Sequence, residues 1–451
     1  MVGKAVAKNN SFHIAIDVGS TSIKGALLDL ETRSFTTVRS VPFPTPRDRL
    51  PSTRVEIEPE DVVVAVSDLI RQLSGGGVGD GHVWICGQMG GVVLADSHGN
   101  ALSPYYSWRD QRTVEVGPTG LTWMQMLREA WPENVWSRLG RELQPGSTST
   151  LLYWLKQHEM LPSKAIPCSI ADFVVARLAH QAPAMHVTYA IGLLDLHQVE
   201  IYHDALQCIG LGDVAWGKLV RGLEPIAQTQ INETNYEFHG CFGDHQTALW
   251  GAGLERDELS INVSTGSQVS QRTSSFEPGP YQSRLFFGGD WLNTVTHLPA
   301  GRALNALLHL CTELNSADGA DLSEAWKNIA EKMAAISATD VIADINFYAS
   351  PLGTSGSFSN LTLENLTVGH LFLAACVAMA ENYRVVANRL ARKESFRSIV
   401  LSGGLAQSLP RLADFIRDRF AMPLREVNGE DTLLGLLKLA HHFSAPSSTC
   451  S

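Results

Sequence analysis

A chain of 451 residues has room for roughly two to three domains of about 150 residues each. With 44% hydrophobic and 18% charged residues it can bury a large core, which excludes collagen-like, coiled-coil and disordered classes. The balance of 46 acidic against 35 basic residues, a formal charge of −11, disfavours nucleic acid as a partner, although local backbone amides can still hold a small phosphate.

The first informative stretch, Phe12 to Asp29, reads as a strand (Ile14 to Val18), a tight Gly19-Ser20-Thr21-Ser22 turn and a second strand (Ile23 to Leu28). Asp61–Leu73 is predicted helical despite its β-branched run. A Gly-rich loop over Gly75–Gly81 leads to a short buried strand, Val83–Cys86, and then to Gly87-Gln88-Met89-Gly90-Gly91. Residues 120–160 carry a helical pattern. Strand signals are weak over 225–240, and Cys241 to Trp250 reads as a turn into a short helix. A charged break at Glu255–Glu258 precedes a strand and turn, Leu259 to Gly266, so a domain boundary is placed near 255. Thr367–Leu390 reads as a long helix and Ser398–Ser402 as a strand before Gly403-Gly404. Two more helices follow, one through Leu412, Phe415, Ile416 and Phe420, the other over Thr432–His442.

The seven cysteines are scattered and form no C-x-x-C pair, and no His cluster has zinc-ligand spacing, so a reducing compartment is expected. The longest apolar run, near Leu371–Ala380, is too short to span a bilayer. The first residues lack the apolar core of a signal peptide. The expectation is a cytoplasmic protein with no membrane partner.

Three Gly/Ser/Thr turns follow strands: Gly19–Ser22 with Lys24, Ser264–Ser267, and Gly403-Gly404. Such turns converge backbone N–H groups and hydroxyls, which suits phosphate oxygens. Each alone reads first as a hairpin turn; the three together point to a nucleotide site between two halves. The runs Ile16–Thr21 and Ile261–Gly266 share one plan, which points to a duplication of two α/β halves. P-loop and G-x-G-x-x-G motifs are absent. Asp17, at the end of an apolar strand, is either a turn-capping acid or a carboxylate facing Mg²⁺. Asp244, opening a helix after Gly243, is a cap, a general base, or both. Gln88, Met89, Trp108 and Asp110 lie where polar and aromatic side chains can hold sugar hydroxyls and C–H faces, or form a surface Arg–Asp pair beside a half-buried Trp.

Taken in order, Ile-Asp-Val-Gly-Ser-Thr-Ser-Ile-Lys, Gly-Gln-Met-Gly-Gly, Trp-Arg-Asp-Gln-Arg, Ala-Asp-Phe, Gly-Asp-His-Gln, Val-Ser-Thr-Gly-Ser and Ser-Gly-Gly-Leu-Ala-Gln-Ser resemble the motifs of the FGGY carbohydrate kinases. The resemblance implies an α/β, two-lobed actin-like ATPase (ribonuclease H-like) fold, each lobe a mixed sheet flanked by helices. It implies an N-terminal domain over 11–255 with the sugar site and a C-terminal domain over 256–445 with the nucleotide site. By position, Asp244 matches the catalytic base and Asp17 the Mg²⁺ carboxylate. Gln88, Met89, Trp108, Asp110 and Asp172 match the sugar site, together with Asp244. Gly19, Ser20, Thr21, Ser22, Lys24, Thr265, Gly266, Gly301, Asn305, Gly403, Gly404 and Ser408 match the ATP site.

ATP, Mg²⁺ and a small sugar are thus the implied ligands, acting on a monomer or homodimer. Within the family the motifs look most like those of sedoheptulose kinases, with xylulose kinases next. Departures are Gly90 where the family has His, Leu352-Gly353-Thr354 in place of Gly-Glu-Arg, and Glu430-Asp-Thr-Leu-Leu-Gly435 where the family has small residues. These leave two other readings open: a kinase for another sugar or polyol, and a regulator that binds these ligands without catalysis.

Overall fold

The computed structural model describes residues 11–75, 79–313, 323–390, 396–427 and 429–444. Within the predicted Gly75–Gly81 loop, residues 76–78 lie outside the described set. The chain forms two compact units. One comprises Met1–Gly253, Arg284–Gly289 and Glu430–Ser451; the other comprises Leu254–Ser283 and Asp290–Gly429.

The first unit is built on β1 (Phe12–Val18), β2 (Ser22–Asp29), β3 (Ser34–Pro42), β4 (Gly81–Gly87), β5 (Pro225–Ile231) and β6 (Thr234–Gly243). Their order across the sheet is β5-β6-β4-β1-β2-β3. The sheet is mixed: β4 runs parallel to both β1 and β6, whereas β1–β2, β2–β3 and β5–β6 are antiparallel hairpins. Helix α1 (Pro59–Ser74) starts with Pro59 and the acids Glu60 and Asp61, which suit a helix N-terminus. Its Val62, Val66, Leu69, Ile70 and Leu73 share one core with Ile14, Ile16, Ile23, Val83 and Ile85 of the sheet. This 3–4 spacing overrides the weak helix propensity of the valines. Helices α2 (Thr148–Gln157), α3 (Ile170–Ala179) and α4 (Asp244–Gly251) complete the elements that carry functional candidates.

Two sequence expectations need correction here. The weak strand signal over 225–240 is a full hairpin, and Cys241–Gly243 are strand rather than turn, with Cys241 and Phe242 fully buried. The hairpin turn is Asn232-Glu233, both at positive φ, between the paired Ile231 and Thr234. A two-residue turn of this kind is usually announced by Asn-Gly, and Glu hides it. The strand itself is polar on its exposed face, and pairing with β4 decides its conformation.

The last described helix, Asp431–Ser444, belongs to the first unit and packs against α4. The approach is close enough to need glycine on both sides. A Cβ at Gly435 would stand 2.0 Å from the Thr247 carbonyl oxygen, and one at Gly251 would stand 2.1 Å from that of Asp431.

In the second unit, five strands lying wholly within it are ordered β9-β8-β7-β10-β11: β7 (Glu258–Val263), β8 (Ser267–Thr273), β9 (Trp291–Leu298), β10 (Ser398–Ser402) and β11 (Leu424–Glu426). The antiparallel run β7-β8-β9 with β10 parallel to β7 repeats the pattern of β1-β2-β3 with β4. The turns after Val18 and Val263 therefore sit at matching places in the two sheets. Helices α5 (Gly301–Thr312), α6 (Val368–Leu390), α7 (Gly404–Ser408) and α8 (Pro410–Phe420) flank this sheet. Phe372, Met379 and Tyr383 of α6 are fully buried in its core.

Candidate active site

In the first unit two carboxylates stand at the ends of β1 and β6, the strands that flank β4. Asp17 is the penultimate residue of β1 and lies in register with Cys86 of β4. Its Oδ2 accepts from Thr432 Oγ1 at 2.7 Å, and the Cys86 thiol donates to Oδ1 at 3.6 Å. Burial raises its pKa above the usual carboxylate range, while Thr432, Cys86 and Lys24 pull it back. Lys24, opposite Asp17 on β2, is itself engaged by Glu430 at 2.6 Å.

Asp244 is the first residue of α4, following β6 directly. Gly243 occupies the cap position, so the capping alternative gives way to a carboxylate at the first helical position. Its Oδ1 accepts the His245 N–H at 2.7 Å. Burial, then the negative charge of Asp17, pushes its pKa up to about 7, against the opposing effects of the His245 amide and Arg284. The positive end of the helix also favours the anion. The result is a carboxylate that changes charge near neutral pH, the range in which proton transfer by a side chain is most effective.

Beside Asp244 lies a group that sequence reasoning did not single out. Arg284 is 8% exposed and pairs in bidentate fashion with the buried Glu142; its Nη1 contacts His245 Nδ1 at 3.0 Å and Met89 Sδ at 3.8 Å. Burial and the guanidinium hold His245 well below its ordinary pKa, so it is neutral. No local motif marks Arg284 or Glu142, which are separated by 142 positions.

Gln88 follows β4 and is 2% exposed. Its Nε2 donates to the Gly19 carbonyl at 3.3 Å, which ties it to the first turn and leaves Oε1 buried without a partner. Gly90 sits at φ +81°, where a side chain would be strained and its Cβ would press within 3.0 Å of the Gly146 carbonyl. Glycine adopts that backbone without strain at the position occupied by His in the resembling motif. Trp108 is 37% exposed.

Asp110 is fully buried, and its oxygens accept from the Arg112 side chain and from the amides of Val55 and Arg112. Arg112 is also fully buried and bridges to Glu56. The surface Arg–Asp pair envisaged from sequence is thus an interior one. Asp172 lies at the third position of α3 in a capping box with Ser169 and is 1% exposed; burial pushes it up to about 7.

Of the first phosphate turn, Gly19, Ser20 and Ser22 are partly exposed and Thr21 is exposed. In the second unit, Gly301, Gly403 and the Thr265-Gly266 turn come together. Gly301 and Arg302 donate their amides to the Ser264 and Thr265 carbonyls at 3.1 and 2.7 Å. Gly403, at φ +100°, lies so close to β7 that a Cβ would stand 2.2 Å from the Val263 carbonyl. Thr265, Gly266 and Gly404 are exposed, with open space where a Cβ of either glycine would stand. Asn305 and Ser408 face solvent one helical turn beyond Gly301 and Gly404, and Ser408 bonds back to the Gly404 carbonyl at 2.9 Å.

The FGGY family of carbohydrate kinases, N-terminal domain, matches residues 12–251, more than half of the chain. Among curated proteins none matches it. Solved structures similar to it include gluconate kinase from Lactobacillus acidophilus (17% identity, TM-score 0.80, covering 96% of this chain and 89% of that one). Xylulose kinase from Rhodospirillum rubrum is 18% identical at TM-score 0.80, covering 95% and 89%. Plasmodium falciparum glycerol kinase with ADP is 15% identical at TM-score 0.79, with the same coverage. The fold is therefore the two-lobed, actin-like one, with mixed sheets flanked by helices. No described helix is long and apolar enough to cross a membrane.

Proposed function

Because the chain belongs to the FGGY family of carbohydrate kinases, we propose that it transfers the terminal phosphoryl group of ATP to a primary hydroxyl of a ketose, with sedoheptulose the first candidate. The observation that supports this reading most is the half-buried Asp244 carboxylate, whose pKa is pushed up to about 7 at the head of a helix. In this reading Asp244 takes the hydroxyl proton as the oxygen attacks the γ-phosphorus, and ADP leaves. The amide of His245 fixes the carboxylate, and the neutral His245 beside Arg284 adds no competing acid. Gln88 offers its unpartnered oxygen to a substrate hydroxyl, and Trp108 a ring for a sugar's C–H face. The exposed Thr265–Gly266 turn supplies amides for phosphate oxygens.

The donor set at Asp17 fits Mg²⁺: a hard oxygen ligand, half-buried and close to a second carboxylate, whose charge a cation relieves. Bound there, Mg²⁺ would neutralise charge on the phosphates. Asp17 itself is oriented by Thr432 and Cys86.

ADP release with Mg·ATP, measured across sedoheptulose, xylulose, ribulose, glycerol and a no-sugar control, tests the proposal. Fastest turnover with sedoheptulose supports it. Preference for xylulose replaces the substrate and keeps the chemistry. Silence on every acceptor, with ATP still binding by calorimetry, transfers the argument to a non-catalytic binder.

A further inference from the structure

Sequence spacing shows no zinc-type cluster, but folding makes one. Among the described residues, His82 on β4 and Glu237 and His239 on β6 each offer a ligand atom, all within 4.8 Å of one another. They lie on the sheet of the first unit, where His82 pairs in register with His13 on one side and Glu237 on the other. Asp17 and Cys86 are four residues further along these strands, about 13 Å away at a strand's rise. The cluster is therefore separate from the carboxylate site.

Its protonation geometry is set. His239 Nδ1 contacts the Leu223 carbonyl at 2.7 Å, so that nitrogen carries the hydrogen and Nε2 presents its lone pair. Nε2 lies 3.0 Å from His82 Nδ1, which is 3.5 Å from Glu237 Oε2. Ligands around a tetrahedral Zn²⁺ at about 2.0–2.2 Å stand about 3.3–3.5 Å apart, close to both separations. The Trp84 ring stacks on His239 at 4.1 Å and His13 stacks on His82 at 4.7 Å, so both imidazoles are held in plane. A carbonyl behind one histidine and rings over both form the kind of outer shell that orients metal ligands. The His82 and Glu237 side chains are 19% and 34% exposed, which gives a metal and a water ligand access from solvent.

We propose that His82 Nδ1, His239 Nε2 and Glu237 form a binding site for a divalent transition metal of the Zn²⁺ type, with water as fourth ligand. His82 then carries its ring proton on Nε2, and the metal straps β4 to β6 near the centre of the sheet.

The test is Zn²⁺ titration of the full chain, stripped by chelator, in competition with a chromophoric chelator. The variants are Glu237→Gln and His82→Ala, with circular dichroism as the folding control. One tight equivalent is expected in the parent protein, weakened at least about tenfold in each variant. Co²⁺ in the same site is expected to quench Trp84 fluorescence in the parent and not in the variants. Absence of a stoichiometric equivalent, or one of unchanged affinity in both variants, overturns the proposal.

Discussion

Thr432 donates its hydroxyl to Asp17 at 2.7 Å across 415 positions of sequence. This bond is one of the interactions that hold the Asp17 pKa down against burial. Thr432→Val is expected to raise the Mg²⁺ concentration for half-maximal turnover by about 3- to 10-fold, the net scale of one ordinary intramolecular hydrogen bond. At saturating Mg²⁺ the kcat should change much less. An unaltered Mg²⁺ dependence would remove Asp17 from the metal's surroundings.

A base works only when ionised, and burial with Asp17 nearby has moved Asp244 to about 7. The kcat/KM is therefore expected to climb about tenfold per pH unit below that value and to level above it. Asp244→Asn should cut turnover at least about 100-fold and flatten the profile, with ATP affinity retained. A variant with near-normal turnover would sink the assignment.

Arg284 and Glu142 are buried together, so removing one charge strands the other. Glu142→Gln is expected to lower unfolding free energy by about 3–5 kcal/mol in urea titrations. The double variant Glu142→Leu with Arg284→Met should recover much of that loss. Equal stability of parent and single variant would mean that the pair is hydrated.

Asp172 gives a stability test with a definite sign. Its folded pKa is raised to about 7 by burial, whereas an unfolded Asp titrates near about 3.9. Between these values the folded state binds the extra proton, so stability falls as pH rises through this window. Asp172→Asn mimics the protonated acid and is suited to the capping box. It should match the parent below about pH 4 and exceed it by up to about 4 kcal/mol above about pH 7. A pH-independent difference in melting temperature would contradict the raised pKa.

Much of this architecture is written locally. The turns at Gly19 and Thr265, the stripe of α1 and the paired glycines 403 and 404 rest on turn chemistry and spacing within a few residues. The carboxylates Asp17 and Asp244 were readable because each interrupts or follows an apolar run. What stayed hidden depends on distant partners. Asp110 reads like a surface acid until Arg112, Val55 and Glu56 enclose the pair. Likewise Arg284 is one arginine among many until Glu142 and His245 meet it. The β5–β6 hairpin was concealed by Glu233 in a turn that usually takes glycine.

The glycine contact between α4 and the last helix has a consequence for how the chain matures. A growing polypeptide emerges from its N-terminus, yet the first unit lacks its closing helix until residues beyond Glu430 have been made. Until then the surface of α4 around Thr247 and Gly251 is uncovered, and Asp17 has no Thr432. Asp17 thus acquires its hydroxyl partner only after some 415 further residues have been made, so a chain interrupted before Glu430 has much of its core and an Asp17 carboxylate without that bond.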